Sequence, residues 1–172
     1  MSRKTLLFAA AVACQILILI AMPARQAYTR ATGRSVILKV QPVDPYNILS
    51  GYYVTLSYDI SSRASFPDAP KLNKGDTVYA VIEQQSDGSW QPVSLNTSLP
   101  RNLSPNQVFI EGRALWSTID YGIEEFYIPE ENRKEIEQAL QKSIDQARVE
   151  VKVDSGGNAA LVRLIVDDRT YE

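Results

Sequence analysis

Two hydropathy regimes divide the chain. From Leu6 to Met22 the residues are apolar for 17 positions, with Gln15 the one amide among them. From Ser35 onward, apolar and polar residues alternate with period two in short runs separated by turn residues, the pattern of half-buried strands. The first regime predicts a helix at the lower end of the length that crosses a hydrocarbon core. Arg3 and Lys4 head it, as in a signal-anchor, and Met22-Pro23-Ala24-Arg25 lacks the paired small residues of a cleavage site. A cleaved signal is the rival reading. Lipidation at Cys14 is disfavoured because the chain stays apolar after it. Gln26 to Gly33 reads as a polar spacer.

The second regime predicts about eight strands. Ser35–Val40 points Val36, Leu38 and Val40 inward. Pro42-Val43-Asp44-Pro45-Tyr46-Asn47 is turn chemistry, a corner delivering the chain into a central strand. In that strand Tyr52, Val54, Leu56, Tyr58 and Ile60 form the core face, and Tyr53, Thr55, Ser57 and Asp59 the other. Ser61–Lys74 is a long loop. Thr77–Glu83 and Trp90–Leu95 form a hairpin through Asp87-Gly88, and Pro92 marks the second as an edge. Gln107–Ser117 is a strand with Val108, Ile110, Gly112, Ala114 and Trp116 on one side, Gly112 suggesting a bulge. Tyr121–Glu130 reads as an aromatic strand ending at Pro129, which opens a helix to about Asp145 with Ile136, Ala139, Leu140, Ser143 and Ile144 on one stripe. Arg148–Val153 and Ala159–Val166 pair through Asp154-Ser155-Gly156-Gly157-Asn158.

The expected fold is α+β: mostly antiparallel β sheet, or a partly closed barrel, with one C-terminal amphipathic helix, preceded by an N-terminal transmembrane helix. The expected organisation is residues 1–24 as an uncleaved membrane anchor, 25–34 as spacer and 35–172 as a β-rich domain. Orientation follows from the basic head and from the ease with which large domains translocate: N-terminus cytoplasmic, domain outside the cell membrane.

Composition narrows the chemistry. The 172 residues hold no histidine, and Cys14 in the apolar run is the one cysteine. Ser-His-Asp and Cys-His catalysis, zinc sites built on His and Cys, and a disulfide within the domain are therefore excluded. With Arg3 and Lys4 set aside, 16 basic residues face 20 acidic ones, a balance of −4 that argues against a nucleic-acid partner. No cofactor or metal site is expected. Catalysis would fall to carboxylates, and Asp120, Glu124 and Glu125 are the cluster that could carry it, Glu124 having apolar neighbours that would raise its pKa. The plainer reading pairs Glu124 with an arginine such as Arg113 on a neighbouring strand.

Gly51-Tyr52-Tyr53-Val54-Thr55-Leu56-Ser57-Tyr58 resembles the signature of the GDYXXLXY domain family. Gly51, Tyr53, Leu56 and Tyr58 match, and Tyr52 stands where the signature has an acid. The lead-in Pro42-Val43-Asp44-Pro45 with Ile48-Leu49 is similar too, and Tyr121-Gly122-Ile123-Glu124, then Phe126, Pro129 and Glu130, resemble the family's later motif. The resemblance extends over essentially the whole chain. It implies a bacterial membrane-anchored protein with no established activity, often encoded beside or fused to multi-span membrane proteins. It carries over no catalytic residue.

Two functions follow as expectations. One is a non-enzymatic accessory domain, in contact with lipid through residues 6–22 and docking onto a multi-span membrane protein, with Tyr53 as the outward-facing contact. The other is a membrane-tethered envelope hydrolase using Glu124 and a second acid. A Ser-Lys dyad finds no serine in a recognisable nucleophile setting.

Overall fold

The computed structural model describes residues 2–41, 49–50, 53–127, 131, 133–167 and 169–171. The predicted corner at 42–48, and Gly51, Tyr52, Pro129 and Glu130 of the two motifs, lie outside the described residues.

The first helix, α1 (Arg3–Thr32), is long and apolar enough to cross a membrane. Ser2 caps it by accepting from the Thr5 amide. The stretch expected as a spacer is helical as well, running on past Pro23 to Thr32. Its last turns are clamped to the domain. The Thr29 hydroxyl, fully buried, donates to the Asp154 carboxylate at 2.7 Å, and the Arg25 guanidinium donates to the Asn158 side chain. Burial works against the Asp154 charge, but hydrogen bonds from Thr29, Asn158 and Gly156 outweigh it and hold that carboxyl below its ordinary range. Gly33 permits the close turn from helix to strand: a Cβ there would lie 2.6 Å from the Thr29 carbonyl oxygen and 2.9 Å from the Val153 nitrogen. Periodicity missed this because polar helical residues against a partly polar turn leave no apolar stripe.

Among the described residues three sheets follow, antiparallel in every pairing, with the architecture curling into a half-barrel. The largest runs β12 (Arg169–Tyr171), β11 (Ala159–Val166), β10 (Arg148–Val153), β1 (Arg34–Gln41), β4 (Ser57–Tyr58). The second runs β6 (Trp90–Asn96), β5 (Thr77–Gln84), β7 (Gln107–Ala114), β8 (Ile119–Asp120). The small third joins β2 (Leu49–Ser50), β3 (Tyr53–Thr55) and β9 (Glu125–Tyr127). A second helix, α2 (Arg133–Ser143), buries Ile136 and Leu140. Val36, Leu38 and Val40 of β1 meet Val149, Val151 and Val153 of β10 and Val78, Ala80 and Ile82 of β5 in one apolar core.

The clean alternations became strands with the expected inward faces, and Pro92 lies on edge strand β6. Four expectations need correction. Within the stretch expected as a strand from Tyr52 to Ile60, the described residues form no single central strand: β3 pairs with β9, β4 pairs with β1, and Asp59–Ser61 is a 3-10 turn. Its alternation survives, with Val54, Leu56, Tyr58 and Ile60 all buried, because the chain changes sheets without losing its inward face. Trp116 is not core but 81% exposed, since β7 ends at Ala114. Tyr121–Glu124 is a turn rather than strand, with Gly122 at φ +73°. Gly112 marks no bulge: β5 and β7 pair residue for residue from Thr77↔Arg113 to Glu83↔Gln107. The glycine is there because Tyr121 and Ile119 lie on it.

The long loop after β4 is tied down. Phe66 is buried, and the Arg63 guanidinium donates to the Leu115 carbonyl at the end of β7.

A Cβ at Gly112 would lie 2.7 Å from Ile119 Cγ2 and 2.8 Å from Tyr121 Cδ1. Gly112→Ala is therefore expected to cost about 1–3 kcal/mol by overpacking, read as a lower urea midpoint with an unchanged slope. An unchanged midpoint would mean that the ring moves aside freely.

Candidate functional site

The two motif stretches, some sixty residues apart, meet in space. β3 carries the first and β9 follows the second, and they pair as Tyr53↔Tyr127, Val54↔Phe126 and Thr55↔Glu125. The Leu56 amide then donates to the Glu124 carbonyl at 2.7 Å. Two tyrosines fasten the junction in opposite directions. Tyr58, from the first stretch, donates its hydroxyl to the Ile123 carbonyl at 2.5 Å. Tyr121, from the second, donates to the Ile60 carbonyl at 2.8 Å. Both phenols are buried, and burial, with the Glu124 charge adding to it, pushes both pKa values up, so both stay protonated donors. Each serves a carbonyl of an irregular segment, which no ladder could satisfy.

Glu124 sits at the centre of the turn. Its carboxyl accepts from the Tyr121 amide at 2.7 Å and from the Ile123 amide at 2.8 Å. Asp120 tightens the same turn by accepting from the Gly122 amide at 3.0 Å. The Glu124 pKa is pushed up to about 7: burial raises it most, the backbone N–H groups pull it back, and the neighbouring Asp120 carboxyl adds to the rise. Arg113, the partner expected for Glu124, instead stands opposite Asp120 on the adjacent strand. Among the described residues the ion pairs are Glu150–Arg163 and Glu135–Arg169.

The carboxyl pair opens onto a groove of 580 Å³ whose wall includes Leu56, Ser57, Ser61, Thr118, Asp120 and Glu124. Glycosidase-type chemistry needs carboxyls about 5–9.5 Å apart across a cleft. Here Asp120, Glu124 and Glu125, all within six residues of sequence, line the groove, and the oxygens of Glu124 hold its own turn. No cluster of metal-ligating side chains occurs among the described residues.

Tyr53 is half-buried and lies outside this groove. Its ring tilts against that of Tyr127, centroids 6.0 Å apart, and Tyr127 is 68% exposed. The structure thus brings Tyr58, Tyr121, Ile123 and Glu124 together, with Leu56 bonded through its amide, and sets Tyr53 on the surface beside them. Gly122 supplies the positive φ of the turn. The sequence did not reveal Gly112 as the seat of Tyr121, nor that Asp120 and Glu124 would hold the amides of one turn. The second had a signal in the acids at spacing four across a Tyr-Gly turn.

A family model described as GDYXXLXY protein matches residues 15–164. No curated protein matches the chain, and no solved structure does.

The raised Glu124 pKa has a signed consequence. Its folded value of about 7 lies above the ordinary 4.5, so between those values the folded state holds the extra proton. The corresponding stability is fully present below pH 4.5 and is lost as pH rises through about 7. The difference in unfolding free energy between wild type and Glu124→Gln should therefore move against wild type over that window, by up to ~3 kcal/mol at about 1.4 kcal/mol per pKa unit. Urea titrations at several pH values measure it; a pH-independent difference would contradict the raised pKa of Glu124.

Proposed function

The chain belongs to the GDYXXLXY family, and from that premise we propose a membrane-tethered, non-enzymatic module held rigidly against the bilayer to dock an integral-membrane partner. One observation carries the reading: a single helix of membrane-crossing length runs without a break into the domain and is locked there by Thr29–Asp154, Arg25–Asn158 and the close approach at Gly33. A flexible linker would let a domain roam. A continuous helix instead fixes its height and orientation, which suits a surface meant to meet another membrane protein. From Met22 to Thr32 the rise is about 15 Å, so the domain stands close to the headgroups. N-in orientation, with the domain outside the cytoplasm, follows from the basic head. Tyr53 and Tyr127 present aromatic surface on this membrane-side module, the residue type that anchors interfaces.

A second reading has one observation behind it, the Glu124 carboxyl with its pKa near neutrality beside Asp120 in an open groove. That pair could move a proton in hydrolysis. The bonds from Tyr121 and Ile123 favour a structural duty for Glu124.

Purification of the tagged full chain in mild detergent separates the readings. The docking function predicts a stoichiometric multi-span protein that is lost on Tyr127→Ala with Tyr53→Ala. Recovery of the chain alone would contradict docking, and a hydrolytic activity abolished by Glu124→Gln would establish the second reading.

A further inference from the structure

We propose that the groove between the last turns of α1 and the surface formed by the 122–127 segment, β10 and β11 receives the headgroup of an anionic phospholipid from the bilayer that α1 spans. This rests on the membrane reading of α1 and adds a ligand to it. The groove measures 530 Å³, and Gln26, Arg30, Tyr127, Lys152 and Leu161 stand in its wall. That volume falls within the range of small-molecule sites, about 300–1,000 Å³.

Height is the first argument. Gln26 and Arg30 lie four and eight residues past Met22, the end of the apolar run, hence about 6 and 12 Å beyond it along the helix. The polar layer on each side of a bilayer is about 5–8 Å thick. The groove therefore starts inside the headgroup layer. Helical Cα–Cβ bonds tilt toward the helix N-terminus, here toward the bilayer, so the long Arg30 side chain leans back into that layer.

Chemistry is the second. Arg30 offers a planar fork suited to a phosphate diester, and Lys152 adds a second positive charge from the facing strand. Leu161, Val162 and Phe126 give apolar wall for the glycerol and upper acyl carbons, while Tyr127 is the kind of exposed aromatic that settles at membrane interfaces. Glu125 is the one acid in the wall. Against Arg30 and Lys152 it leaves one net positive charge, which matches a headgroup carrying one negative charge and no amine. Continuity with the spanning helix decides between lipid and a soluble anion: the groove opens where lipid is already the neighbour.

The test uses the full chain in nanodiscs of phosphatidylcholine containing either phosphatidylglycerol or phosphatidylethanolamine. Lipid retained on the protein after transfer to mild detergent is counted by native mass spectrometry. Phosphatidylglycerol should be retained several-fold over the other two lipids. Arg30→Gln, at an exposed position, should cut that excess, and Arg30→Gln with Lys152→Gln should abolish it with unchanged circular dichroism. Equal retention of the three lipids, a preference for phosphatidylethanolamine, or an excess that survives both substitutions would overturn the lipid assignment while leaving the anchor intact. A chain that does not stay with the discs would refute the membrane reading itself.

Discussion

Two phenol hydroxyls hold the molecule's irregular centre. Tyr58 reaches the Ile123 carbonyl and Tyr121 reaches the Ile60 carbonyl, so each motif stretch satisfies a buried acceptor that the other exposes. Regular ladders cannot do this, because on one side the chain leaves β4 for a 3-10 turn and on the other it passes through the 121–124 turn. A buried carbonyl without a partner costs about 1–3 kcal/mol, a large share of a domain's net stability. Around this exchange the other features fall into place: the glycine at 112 that seats the Tyr121 ring, the Gly122 turn, and the Glu124 carboxyl that gathers the Tyr121 and Ile123 amides. Of the residues that give the family its name, Tyr53, Leu56 and Tyr58 are in this chain the means of joining two distant segments.

That joint has a place relative to the apolar helix. The segment from Gly122 to Tyr127 forms one wall of the groove beneath α1, and the clamped end of α1 forms another. The tyrosine exchange thus fixes the turn, the turn fixes the wall, and the helix fixes the wall's height above the apolar run. A motif can therefore serve folding and still shape the surface on which lipid binding is proposed. The Glu124 carboxyl reads in the same way. The raised Glu124 pKa reflects the partial burial that the turn imposes on that carboxyl beside the exposed Asp120.

Much of the fold was legible because β alternation reports directly on burial. Val36, Leu38 and Val40, or Val149, Val151 and Val153, need no further context. Alternation says nothing of which strand is the neighbour. Val54 to Ile60 kept its inward face while passing from one sheet to another, and the sequence showed one strand where there are two and a turn. Gly112 was legible as an exception and misread in kind, because a close ring and a bulge leave the same single-letter trace. The docked end of α1 was hidden for a different reason: it is held by hydrogen bonds from Thr29 and Arg25, and polar contacts leave no periodicity. Of the site, Tyr58 and Glu124 could be singled out from the sequence, but the reciprocity of Tyr58 and Tyr121 is a property of the fold.

The central claim is that the two hydroxyls jointly lock the motif stretches, and a double-mutant cycle on Tyr58→Phe and Tyr121→Phe tests it most directly. Both substitutions keep the ring and remove only the donor. By urea unfolding at neutral pH, each should cost about 1–3 kcal/mol, and the pair should depart from additivity by at least about 0.5 kcal/mol because the bonds share one junction. If either phenylalanine variant is as stable as wild type, or if the two losses simply add, the joint does not depend on this exchange and the account is wrong at its centre.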